Sequence, residues 1–171
     1  MGEKGIKYYQ YFVEGEDERK LINTLKSEME MIEPGKVQVF NCVSERLTAL
    51  RLMTLKDGTA VVLVFDSDAG NLALLEDNIN LIRKQSNICD VFCIVQVKNL
   101  EDELVYACDI KQIKELLGVD SNSAYKRALL REKNLSKKLR EHDFDIAKFW
   151  SKQDKGAYKD IENQAGRIKK K

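Results

Sequence analysis

Four short apolar runs separated by segments of helical period constrain the fold of this chain more than any other feature. The runs are "IKYYQYFV" from Ile6, "KVQVF" from Lys36, "AVVLVF" from Ala60 and "VFCIVQV" from Val91. Their Val, Ile, Phe and Tyr content and near-continuous apolarity predict strands buried on both faces, as in a parallel sheet covered by helices. Between them, "EDERKLINTLKSEMEMI", "SERLTALRLMTLK" and "NLALLEDNINLIRKQS" repeat Leu, Ile or Met at the spacing of a single buried helix stripe. The βαβαβαβ order predicts a three-layer, Rossmann-like α/β domain with right-handed crossovers around a four-stranded, mainly parallel sheet.

Punctuation marks the element ends. Pro34-Gly35 closes the first helical segment, Ser44-Glu45 is expected to open the second, and Lys56-Asp57-Gly58 to end it. The α/β domain is expected over residues 1–120, a basic helical extension packed on it over 121–152, and a flexible basic tail over 153–171, where apolar residues are few. A length of 171 residues suits one domain with a full core. No apolar run reaches the roughly 18–20 residues of a membrane span, and "MGEKGIKYYQ" has no apolar signal core, so a cytoplasmic protein with no membrane partner is expected.

Cys42, Cys89, Cys93 and Cys108 form no C-x-x-C pair and read as buried thiols in a reducing compartment. His142 is the single histidine, so the chain lacks the spacing of a Cys/His zinc site, and triad chemistry would have to depend on that one residue. The net charge of +1 conceals an asymmetry: residues 1–120 hold 14 Lys and Arg against 21 Asp and Glu, and residues 121–171 hold 15 against 7. A basic region suited to phosphates therefore adjoins an acidic one that holds something else.

Ligand sites in open parallel sheets lie beyond the carboxyl ends of the strands. Glu14 ends the first strand, Asp66 and Asp68 end the third, and the fourth leads through Lys98 to Glu101 and Glu103. Acids that cluster in this way repel unless a cation lies between them, and hard oxygen ligands suit Mg²⁺ or Mn²⁺. Gly15 after Glu14 permits a tight turn and a close approach.

"YFVEGEDERKLI" followed by "VVLVFDSDAG" resembles the Toprim domain, the metal-binding module of topoisomerases, bacterial primases, recombination-repair proteins and the nucleases of the overcoming-lysogenization-defect group. The matching motifs are Glu14-Gly15 and Asp66-Ser67-Asp68, and the likeness covers roughly residues 6–108. The resemblance implies a Toprim fold in which Asp66 and Asp68 hold Mg²⁺ or Mn²⁺ and Glu14 ligates metal or acts as general acid or base. Leu100-Glu101 falls where the nuclease branch carries a Leu-Glu pair for a second metal, and Asp17 and Glu18 stand near that branch's acidic residue one helical turn after the first motif. Lys98 either neutralises charge on the phosphate or balances Glu101 or Glu103. No P-loop, zinc ribbon or topoisomerase cleavage domain accompanies the motifs, which leaves a stand-alone nuclease acting on DNA or RNA, with a separately encoded ATPase as a possible partner.

Other readings compete. Asp-x-Asp also marks haloacid-dehalogenase phosphatases, but after their first strand; a response-regulator receiver has its acidic pair on the first strand and a lone aspartate on the third, the inverse of the order here. A non-catalytic module could instead dock nucleic acid or protein through the basic extension. There Lys126, Arg127, Lys137, Lys138 and Arg140 would meet phosphates, with Tyr125, Phe144, Phe149 and Trp150 stacking on bases. Alternatively these aromatics pack inward with Leu129, Leu130, Leu135, Leu139 and Ile146.

Overall fold

The structure, a computed structural model, describes residues 5–170. Strands β1 (Tyr8–Val13), β2 (Lys36–Val39), β3 (Thr59–Asp66) and β4 (Ile88–Gln96) form one sheet in the order β2-β1-β3-β4, and every pairing is parallel. All eight residues of β3 are buried, which explains why its sequence is apolar without alternation. From β1 the chain steps outward to β2, then crosses back over β1 to β3. The switch in direction falls between β1 and β3, where open sheets of this type leave a crevice at the carboxyl ends of the strands.

The helices are α1 (Glu16–Asn23), which continues through a wide π turn at Thr24–Glu28, α2 (Ala49–Met53), α3 (Leu72–Arg83) and α4 (Leu100–Ala107), followed by the short α5 (Lys114–Leu117), α6 (Tyr125–Arg131) and α7 (Leu135–Glu141). Successive strand residues serve opposite faces. Tyr11, Val62, Val64 and Phe92 pack with Leu21 and Ile22 of α1 and Leu104 of α4, whereas Phe12, Val61, Leu63 and Phe65 pack with Leu75, Ile79 and Ile82 of α3. Each aliphatic or aromatic side chain withdrawn from water in this way contributes about 1.5–3 kcal/mol. Among the described residues no helix is long and apolar enough to cross a membrane.

Two sequence expectations are corrected. The second helical segment does not open at Ser44-Glu45: α2 starts at Ala49, capped by the Thr48 hydroxyl, which accepts from Arg51 N at 3.3 Å. The cause is Asn78 of α3, almost fully buried, whose amide donates to Cys42 O and Glu45 O at 2.8 Å each while its oxygen accepts from Leu47 N at 2.9 Å. These bonds hold residues 42–47 as a loop across the tertiary gap.

Residues 153–170 are not a flexible tail. Of their five apolar side chains, Tyr158, Ala165 and Ile168 are buried and Ile161 packs partly buried against the core, leaving only Ala157 exposed. Gln164 N donates to Cys93 O at 2.8 Å and Cys93 N donates to the Gln164 side-chain oxygen at 3.1 Å, so the strap satisfies backbone groups on the open edge of β4. Lys169 then pairs with Ile32 in an antiparallel bridge.

Candidate metal-binding cleft

The β1·β3 pairing brings the two acidic motifs together. Glu14, one residue past β1, accepts a hydrogen bond from the backbone N of Asp66, the last residue of β3, at 3.1 Å. Asp66 is buried, Asp68 is exposed, and Glu14 is partly buried. Burial raises the Asp66 carboxyl well above the ordinary carboxylate range; the charges of Glu14 and Asp68 push the same way, and the hydrogen bond from Gln96 works against them.

The first turn of α1 supplies the next acids. Gly15 caps the helix in extended backbone that any residue adopts, so its function there is space rather than conformational freedom: a Cβ would stand 3.0 Å from Asp17 Oδ1 and 3.3 Å from Glu18 Oε2. Asp17 and Glu18 are buried, and Asp17 Oδ2 and Glu18 Oε2 have no hydrogen-bond partner. Burial, then neighbouring Asp17, pushes Glu18 well above its usual range. Across the cleft, Lys126 of α6 lies 3.8 Å from Asp17 Oδ2, and Asp17 is the main cause of the raised Lys126 pKa. The hydroxyl of buried Tyr125 is likewise unpartnered.

Glu14, Asp66, Asp68, Glu101 and Lys126 all line one open polar cleft of about 740 Å³. Of the acids expected at this rim, Asp17, Glu18 and Glu103 lie outside the lining, and Asp17 is reached through Lys126. Glu101 of α4 is partly buried and also raised by burial. Orphaned buried carboxylate oxygens and crowded acids form a donor set suited to a hard divalent cation. Among the described residues, however, no three acidic, thiol or imidazole side chains already enclose a metal position.

No family model, curated protein or solved structure matches the chain. The residues themselves must therefore carry any functional reading.

Lys98 does not line the cleft, and among the described residues it pairs with neither Glu101 nor Glu103. Its ammonium lies 3.7 Å from Asp102, while its backbone, at φ 70°, bonds the Asp-x-Asp loop: Lys98 N donates to Ser67 Oγ at 2.6 Å and Asp68 N donates to Lys98 O at 3.1 Å. In the extension, Tyr125, Phe149 and Trp150 are buried and Phe144 packs against the same core, so these aromatics serve packing rather than a stacking surface; Leu130, expected inside, is half exposed. Arg127, Lys137 and Arg140 are exposed and Lys138 is partly so, but none of these four lines the cleft; Lys137 pairs with Glu141 of its own helix at 3.9 Å.

Sequence reasoning missed the support behind Asp66. Gln96 ends β4, fully buried, and its amide donates to Asp66 Oδ1 at 2.6 Å while its oxygen accepts from the Trp150 indole at 3.2 Å. Glu103, also fully buried, accepts from Val97 N and Trp150 N at 3.1 and 2.9 Å and lies 3.7 Å from Lys152. The signal available in the sequence was a lone glutamine in an apolar run.

Proposed function

We propose that the chain is a divalent-metal-dependent hydrolase of phosphodiester bonds in DNA or RNA, of the Toprim nuclease kind. The observation that supports this reading best is the meeting of Glu14 and Asp66 across adjacent parallel strands at the switch point, in a cleft that also contains Asp68, Glu101 and Lys126. Asp66 and Asp68 with Glu14 would hold Mg²⁺ or Mn²⁺, and Asp17 and Glu101 a second ion. Bound metal supplies Lewis acidity at a phosphoryl oxygen and a nucleophilic water near neutral pH. Glu14 takes up or gives a proton at its free carboxylate edge, Gln96 fixes the orientation of Asp66, and Lys126 draws the anionic backbone to an otherwise acidic rim. Arg127, Lys137, Lys138 and Arg140 extend the basic surface for the strand beyond the cleft, and a separately encoded ATPase is a candidate partner.

A second reading, a nucleic-acid- or protein-binding module without catalysis, rests on the basic side chains Arg127, Lys137, Lys138 and Arg140 of the extension, which lie outside the acidic cleft. One assay separates the two. Purified protein with Mg²⁺ or Mn²⁺ is incubated with single- and double-stranded DNA and RNA, beside Asp66→Ala and Glu14→Ala. Cleavage by the wild type that both substitutions abolish supports the hydrolase. Salt-sensitive binding retained in both variants, with no cleavage by the wild type, supports the module instead.

A further inference from the structure

The opposite end of the sheet holds a cavity of contrary chemistry. About 370 Å³ lies among the start of β1, the Pro34-Gly35 approach to β2 and the Thr54–Lys56 turn before β3. Lys7, Lys36 and Lys56 line it, and no Asp or Glu does. None of these lysines makes an ion pair among the described residues. Three cations around one hollow repel each other, and an anion relieves that repulsion. The cavity also offers an aromatic wall: the Tyr8 ring is 45% exposed, with Lys56 Nζ 4.9 Å from its centroid.

Gln10 adds the discriminating group. It is only 4% exposed and lines the cavity, and its amide nitrogen donates to Tyr11 O at 3.2 Å and Lys36 O at 3.4 Å. Two carbonyl acceptors fix the amide's orientation and leave Oε1 as an acceptor that receives no bond from the described residues. That acceptor is open to a hydrogen-bond donor on a bound ligand. Gly35 lets the wall close, because a Cβ there would stand 2.4 Å from Tyr9 O.

We propose that this cavity binds a free nucleotide whose base carries an exocyclic amine. The base lies against Tyr8, its amine donates to Gln10 Oε1, and the phosphate is held by Lys7, Lys36 and Lys56. The cavity volume falls within the range of small-ligand sites, about 300–1,000 Å³. The site is independent of the hydrolytic reading, since none of its lining residues belongs to the acidic cleft.

The test titrates adenosine monophosphate into the isotope-labelled full chain by nuclear magnetic resonance, beside inosine monophosphate, adenosine, inorganic phosphate and a short oligoadenylate. Adenosine monophosphate is expected to shift the amides of Tyr8, Gly35 and Lys56. Inosine monophosphate, whose oxo group sets an acceptor against Gln10 Oε1 where the amine would donate, is expected to bind about tenfold or more weakly. The exposed-site variant Lys36→Glu/Lys56→Glu should weaken adenosine monophosphate by about tenfold or more, and Asp66→Ala should leave it unchanged. No shifts at millimolar nucleotide, equal affinity for both nucleotides or for phosphate alone, or unaltered binding by the folded double variant would each overturn the proposal. Tighter binding of the oligoadenylate at the same residues would overturn the free nucleotide in favour of a strand end.

Discussion

The Trp150 indole donates to the side-chain oxygen of Gln96, and Gln96 in turn donates to Asp66, so a residue of the C-terminal extension sets the direction of an amide on β4 and, through it, a carboxylate on β3. An indole N–H can only donate, so it leaves Gln96 no choice but to present its NH₂ to Asp66. Trp150→Phe removes that constraint and leaves a buried acceptor unpaired. The expected result is a loss of about 1–3 kcal/mol in urea denaturation, together with weaker Mn²⁺ binding measured by paramagnetic resonance. Full stability and unchanged Mn²⁺ affinity would contradict the relay, whereas absence of Mn²⁺ binding by the wild type would contradict the metal site itself.

Asp66 and Glu18 both have native pKa values raised above those of the unfolded chain. The native state therefore binds more protons than the unfolded state above about pH 4, the ordinary carboxylate range. Their contribution to stability is complete below that range and is lost as pH rises toward the raised native values. In EDTA the melting temperature should accordingly fall between about pH 5 and 9, and Glu18→Gln, neutral throughout, should flatten the fall. A melting profile for Glu18→Gln that parallels the wild type at every pH would refute this assignment.

Gly70 closes the Asp66–Asp68 loop at φ +82°, with a hypothetical Cβ only 2.3 Å from Val43 Cγ2 and 2.7 Å from Val43 O. Gly70→Ala combines backbone strain with a backbone clash and is expected to cost about 1–3 kcal/mol or more. Equilibrium denaturation measures it; an alanine variant as stable as the wild type would mean that the loop relaxes freely.

Tyr158 ties the strap to the site: its ring packs on Phe65 with centroids 5.1 Å apart, and its hydroxyl donates to Ala69 O at 2.8 Å. Tyr158→Ala should destabilise by about 3–5 kcal/mol through the cavity it leaves, and Tyr158→Phe by about 0.5–1.5 kcal/mol. Proteolysis should cut the alanine variant first within residues 153–170. A strap that contributes nothing would leave both variants with wild-type stability and protease resistance.

The strands were legible because β3 and its neighbours lie in an environment that accepts only apolar or β-branched side chains, so the constraint is written along the chain itself. The rim acids were legible for a related reason: a parallel strand that ends in carboxylates places them at one edge whatever the helices do. Less was written about α2, since its start depends on Asn78 reaching back from α3. The strap was misread because apolar content alone says nothing about whether an open strand edge is waiting to accept hydrogen bonds.

By itself, then, the sequence determined the order of strands and helices, the parallel sheet and the set of acids at its carboxyl end, because these follow from local periodicity and chain direction. Only the tertiary structure decided that Gln96 and Trp150 stand behind Asp66, that Lys98 faces Asp102, that Lys126 faces Asp17, and that residues 153–170 close the β4 edge. Apart from the local Lys98–Asp102 pair, these pairings join residues far apart in the chain, and the free energy that selects them exists only once the packed core has brought the partners within hydrogen-bonding or ion-pairing reach.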